Sequence, residues 1–157
     1  EYIRTDITSI RNNKTNFFTI TLYYYFRQTK CVGCIDNLFE ITFPDAEISF
    51  KLSQDQFKKT INAANTLGLP EIVVEGNGSE IMFVVSDTGN PSSDKFSTKV
   101  GLTDKTFSMI FKTENLNKIM EGTYDVSLSS KRISHFKREG DSLQYWIALE
   151  QNSTFEE

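Results

Sequence analysis

The sequence predicts an α+β domain made of a duplicated β-α-β-β-β unit, with both helices on one face of antiparallel sheets. Three observations lead there. From Ala46 onward, apolar and polar residues alternate in short runs separated by Gly, Asn, Asp or Ser clusters, the period-two pattern of half-buried strands. Two segments break the alternation with helical spacing instead. The resulting order (strand, helix, three strands) over Ala46–Val100 is repeated over Thr106–Leu149.

Residues 1–43 stand outside the repeat. They hold an aromatic, β-prone run, Phe17 to Phe26, then Cys31 and Cys34, then Leu38 to Phe43 before Pro44. Two or three strands are expected, pairing with a sheet edge of this chain or of a neighbouring copy, because an unpaired strand of that composition invites aggregation. They are read either as the remnant of a preceding domain or as an extra β segment, with residues 44–157 as the folded domain that follows. The opening Glu1-Tyr2-Ile3 has no Met and no apolar core of a signal peptide, which suggests a trimmed or truncated chain.

The first strand of the repeat spans Ala46–Leu52. Ser53 and Gln56 then form the S-x-x-Q pattern of a capping box, and Phe57, Ile61, Ala64 and Leu67 continue at helical spacing to Gly68, before Pro70. Strands follow over Glu71–Glu75, Glu80–Asp87 and Lys95–Val100, the first two joined by a turn at Gly76-Asn77-Gly78-Ser79. The second unit opens with a strand over Thr106–Phe111. Thr113 then caps a helix of little more than two turns, with Leu116, Ile119 and Met120 as its apolar stripe and Gly122 at its C-terminal cap. Strands over Thr123–Ser129, Ile133–Arg138 and Ser142–Leu149 complete it, with a turn at Glu139-Gly140-Asp141. At residue level the repeat is faint: Phe50-Lys51 and Phe111-Lys112 precede the two helices 61 positions apart.

The chain has 157 residues, 38% hydrophobic and 24% charged, enough apolar surface for a core. Its formal net charge of -4 excludes a uniformly basic nucleic-acid coat but leaves room for a local basic face. No stretch of 18 uncharged apolar residues is present, so no membrane span is predicted. Cys31 and Cys34 form one C-x-x-C. Redox pair, half of a zinc site and inert thiols are the three readings; zinc would need ligands beyond these and His135, and inert thiols are the ordinary case. His135 lies in a strand, where Ser134 points to the opposite face, so a local nucleophile–base pair is not predicted. The loop Asp87–Asp94 carries calcium-type oxygen ligands, but its residues are also common loop formers. No catalytic residue, cofactor or metal is assigned.

The cations are more informative. At 100° per residue, Phe57, Ile61 and Ala64 centre the buried face of the first helix, while Lys58, Lys59, Asn62 and Thr66 turn to water, with Asp55 as the acidic exception. The second helix adds Lys112 at its start and Lys118, with Asn115 and Asn117, off its stripe. If the helices share a side, Lys58, Lys59, Lys112 and Lys118 form a lysine- and amide-rich face suited to phosphate contacts without base readout. A merely solvated helix surface is the alternative for any one of them. Lys131-Arg132 and Lys137-Arg138 make a second basic cluster, for which DNA contact, intersubunit ion pairs and solubility all remain open.

Tyr145-Trp146-Ile147-Ala148-Leu149-Glu150-Gln151-Asn152-Ser153-Thr154, a hydrophobic strand closing in A-L-E-x-x-S-T, resembles the ending of the DNA sliding clamps of T-even-type bacteriophages, the polymerase processivity factors. Gly122-Thr123-Tyr124-Asp125-Val126 and Phe43-Pro44 are similar to that family's C-terminal domain in order and spacing, so the resemblance spans about residues 43–157. It implies a DNA-clamp domain without catalysis, from a ring that encircles double-stranded DNA. Three two-domain subunits would form the ring, with helices lining the hole and Lys58, Lys59, Lys112 and Lys118 on the inner surface. The partners it implies are the viral DNA polymerase, reached through a short C-terminal peptide, the clamp-loader ATPase and the late-transcription machinery, in the cytoplasm of the infected bacterial host. A clamp subunit has two domains, whereas here one domain follows 43 residues. The competing reading is a non-catalytic β-rich viral interaction or structural domain.

Overall fold

The structure, a computed structural model, describes residues 22–24, 43–140 and 143–156, and within them the two halves of the chain exchange strands. In order these are β1 (Leu22–Tyr24), β2 (Ile48–Leu52), α1 (Gln54–Leu67), β3 (Glu71–Asn77), β4 (Glu80–Ser86) and β5 (Phe96–Leu102). The second half holds β6 (Thr106–Lys112), α2 (Thr113–Leu116), β7 (Tyr124–Ser129), β8 (Ile133–Arg138), β9 (Gln144–Ala148) and β10 (Thr154–Glu156). One sheet has the order β1-β9-β8-β7-β2 and the other β10-β6-β3-β4-β5, with every pairing antiparallel. The first strand of each unit thus joins the three-strand meander of the other: β2 pairs with β7 through Phe50 opposite Val126, and β6 pairs with β3 through Phe111 opposite Ile72. A 14-residue helix spans roughly 21 Å, so α1 carries the chain from one sheet to the next.

Alternation sets the core. Ile72 and Val74 on β3, Phe107, Met109 and Phe111 on β6, and Tyr124, Val126 and Leu128 on β7 all enter one buried cluster, which Phe57 and Ala64 of α1 also join. Val73, Val84 and Ile110 are buried on the opposite face of the β3-β4-β6 sheet, giving those strands their near-continuous apolar reading. Gly78, at φ +79°, makes the β3–β4 turn that the sequence predicts. The backbone of β1 adds to the outer edge of β9, with Leu22 opposite Trp146. Strand β10, absent from the sequence reading, adds to β6 with Phe155 opposite Phe107. Cys31, Cys34 and the rest of residues 1–21 and 25–42 lie outside the described residues, as do residues 141, 142 and 157.

Helix α1 matches its prediction closely. The Ser53 side chain accepts from the Gln56 amide at 3.2 Å, and the Gln56 side chain accepts from the Ser53 amide at 2.9 Å. Gly68 ends the helix in the left-handed conformation, φ +65°. Its buried residues are Phe57, Thr60 and Ala64; Leu67, expected on the stripe, is exposed. Ser53→Ala is expected to cost about 1 kcal/mol, the usual loss for a cap of this kind, read as a lower urea midpoint with unchanged m-value.

The second helix departs from expectation. It is one turn, and its N-cap is Lys112, which makes no side-chain capping bond. Thr113 does not cap because its hydroxyl donates to the Leu69 carbonyl at 2.9 Å, inside the core. Tight turn bonds follow, from the amides of Lys118 and Ile119 to the carbonyls of Asn115 and Leu116. Leu116 and Ile119 are buried, but Met120 turns outward. Gly122 does not take the left-handed cap conformation; a Cβ there would lie 2.6 Å from Arg138 Cδ, so that position serves close packing instead.

Candidate nucleic-acid interface

The exposed face of α1 carries Asp55, Lys58, Lys59, Asn62, Asn65 and Thr66. Along this helix lies the segment that follows α2. Asn65 and Asn117 exchange two amide hydrogen bonds, at 3.3 and 3.0 Å, and the Gln54 amide donates to Thr123 Oγ1 at 3.3 Å. Between these ties the segment is held from below by two phenols. The Tyr124 hydroxyl donates to the Met120 carbonyl, and the Tyr145 hydroxyl accepts from the Met120 amide at 3.1 Å. Burial pushes the Tyr124 phenol well above its ordinary pKa, so it remains a proton donor across the physiological range. An Arg138 guanidinium nitrogen also reaches the Glu121 carbonyl at 3.5 Å.

This placement brings three of the four predicted lysines to one region. Lys58 and Lys59 lie on α1, and Lys118 follows directly on Asn117, which is tied to α1. Lys58 Nζ lies 3.7 Å from Glu121 Oε2, and Lys59 Nζ lies 2.8 Å from Asp55 Oδ2, one helical turn away. Lys118 is exposed and makes no ion pair among the described residues. Lys112 is set apart. It ends β6 opposite Glu71 and shares the sheet face of Ile110, whereas α1 packs with Phe111 on the other face. The carboxylate of Glu121 escaped the sequence reading because residues 117–122 were expected to be helix and helix cap.

The remaining candidates take ordinary roles. Ser134 Oγ donates to the Ile147 carbonyl at 2.7 Å on the buried face, while His135 stacks on Trp146 on the opposite face, with ring centroids 4.9 Å apart. Burial holds the His135 pKa below the usual histidine value, with the Gln144 hydrogen bond opposing and the Lys137 charge reinforcing that shift. In the loop Asp87–Asp94 the side chains of Asp87 and Asn90 accept from the amides of Gly89 and Ser92, as turn formers do. Among the described residues, no group of three or more His, Cys, Asp and Glu is placed to hold a metal ion, and no helix is long and apolar enough to cross a membrane. Lys131 and Arg132 are exposed at the β7–β8 turn.

Two antiparallel sheets with exchanged first strands, and helices tied side by side, define a DNA-clamp domain. The same fold occurs in the DNA polymerase III subunit beta sliding clamp, DnaN, of Bartonella birtlesii LL-WM9. Its TM-score is 0.52 at 12% identity, covering 74% of this chain and 35% of that chain. Residues 49–151 match the family model of the gp45 sliding clamp, C terminal, and the chain belongs to that family. It is 34% identical to the sliding clamp of Vibrio phage KVP40 over 118 residues, covering 71% of this chain and 52% of the relative, so it spans about half the length of that curated protein.

Proposed function

We propose that this chain serves as the C-terminal domain of a viral DNA sliding clamp. In the assembled ring it would encircle double-stranded DNA and tether the replicative DNA polymerase, with no catalysis of its own. The observation that carries this is the pairing of α1 with the 117–123 segment, which concentrates Lys58, Lys59 and Lys118 with Asn62, Asn65 and Asn117 on one side of an acidic protein. Lysines meet phosphates as hydrated point charges regardless of sequence, and amides add donors for the phosphate oxygens. Lys112, on the other sheet face, stands apart from this grouping.

Residues 44–157 act as the clamp domain in this reading, with residues 1–43 contributing at least the strand added to β9. The family match over residues 49–151 supports that division. The outer edge of β5 is unpaired among the described residues and offers a site for strand addition by a neighbouring subunit, as a trimeric ring requires. The clamp-loader ATPase, the polymerase and the late-transcription factors are the partners of the assembled protein, in the cytoplasm of the infected bacterial host. Retention on DNA tests the topology. The complete two-domain protein, loaded on a nicked circular plasmid, is expected to stay bound through gel filtration and to be lost once the circle is linearised. Equal loss from both forms would refute encirclement.

A further inference from the structure

Two of the three lysines grouped on the α1 face are already paired with carboxylates, and the backbone that carries those carboxylates is anchored. Asp55 sits one turn before Lys59 on a capped helix, and its Oδ2 lies 2.8 Å from Lys59 Nζ. Glu121 comes from a separate segment, 63 positions further along the chain than Lys58. That segment is anchored by the Tyr124 and Tyr145 hydroxyls at Met120, by Arg138 at the Glu121 carbonyl and by the Asn65–Asn117 amide pair. The anchoring leaves Glu121 Oε2 3.7 Å from Lys58 Nζ. Both pairs are more than half exposed, at 56% and 54% for Lys58 and Glu121 and 64% and 72% for Lys59 and Asp55. Exposed ion pairs contribute little to stability. The ion pair therefore gives Glu121 no strong stabilising reason, while Asp55 also lies in the first turn of α1, where the helix dipole favours a carboxylate whether or not it meets Lys59.

We propose that Asp55 and Glu121 attenuate the affinity of this face for duplex DNA, acting as built-in competitors of phosphate for Lys59 and Lys58. The proposal rests on the reading that this face meets DNA. A phosphate arriving at either lysine must displace a carboxylate that stays tethered within a few ångströms and repels it. Each lysine then contributes less than a full phosphate contact, and each contact breaks quickly. Such a surface holds DNA loosely enough for the protein to move along it. Attraction remains through Lys118 and the amides.

The test is binding of the 157-residue chain to a short fluorescein-labelled duplex of mixed sequence, followed by anisotropy across a salt series. Asp55→Asn and Glu121→Gln are each expected to tighten binding by about threefold to tenfold. Together they should steepen the dependence of log K on log salt by about one to two, since each neutralised phosphate adds roughly 0.9 to that slope. Lys58→Ala and Lys59→Ala should weaken binding. Thermal unfolding of Glu121→Gln should stay near the parent, as expected for an exposed pair, whereas Asp55→Asn should show a small loss because it also removes a first-turn carboxylate from α1. If the lysine variants weaken binding while the carboxylate variants leave affinity and slope unchanged, attenuation is wrong and the DNA-facing surface stands. If neither set changes binding, the DNA-facing reading fails and takes this proposal with it.

Discussion

Phe136→Ala is expected to lower the free energy of unfolding by about 3–5 kcal/mol, a large share of the roughly 5–15 kcal/mol that holds a typical domain together. Phe136 is fully buried at the point where the two sheets meet α1. Its ring packs edge-on against Phe111 of β6 at 5.8 Å and against Tyr124 of β7 at 6.1 Å, and Tyr124 in turn meets Phe57 of α1 at 5.8 Å. Removing the ring leaves a cavity between the two sheets, with β6 on one side and β7 and β8 on the other, and rigid strands cannot close around it. Phe136→Leu keeps much of the volume and should cost less, about 1–2 kcal/mol. Urea unfolding followed by far-UV circular dichroism separates the two. A loss below about 1 kcal/mol for Phe136→Ala would show that the aromatic cluster is not the junction described here.

Gly76→Ala, which adds one methyl group, should destabilise by about 1–3 kcal/mol or somewhat more. A Cβ at Gly76 would lie 2.3 Å from Phe107 Cε1 and 2.8 Å from the Lys105 carbonyl oxygen. The ring cannot simply swing away. Phe107 is buried and stacked on Phe155 of β10 at 6.5 Å, and Lys105 Nζ lies 5.5 Å above the Phe155 ring. The Lys105 carbonyl is fixed in turn by the Gly78 amide at 3.0 Å. Shrinking the obstacle with Phe107→Ala should make the double variant less destabilised than the sum of its parts, a coupling of the kind neighbouring residues show. Strict additivity in thermal unfolding would mean that the Phe107 contact is not the cause.

Much of the fold was legible in the residues. The capping box at Ser53 and Gln56, the glycine at position 68 and the apolar spacing of Phe57 and Ala64 place α1 without reference to anything distant. The second helix was misjudged because Thr113 is a good cap in isolation, yet a long-range partner, the Leu69 carbonyl, takes its hydroxyl. Strand β10 was missed because Thr154–Glu156 is too short to show alternation; its pairing with β6 makes it a strand.

The candidate surface divides in the same way. Lys58, Lys59, Asn62 and Thr66 can be placed on the water-facing side of α1 from a 100° rotation per residue, because that geometry is local. That Lys118 joins them, that Lys112 faces the other side of a sheet, and that Glu121 reaches Lys58 depend on contacts between distant parts of the chain. Sequence alone determined the class of fold, the repeated order of elements and the exposed side of α1, since period and capping act over a few residues. Only the tertiary structure decided which strands were exchanged and which charges met. Those choices are set by sheet pairing and by burial of one shared core, and no short stretch of the chain carries either.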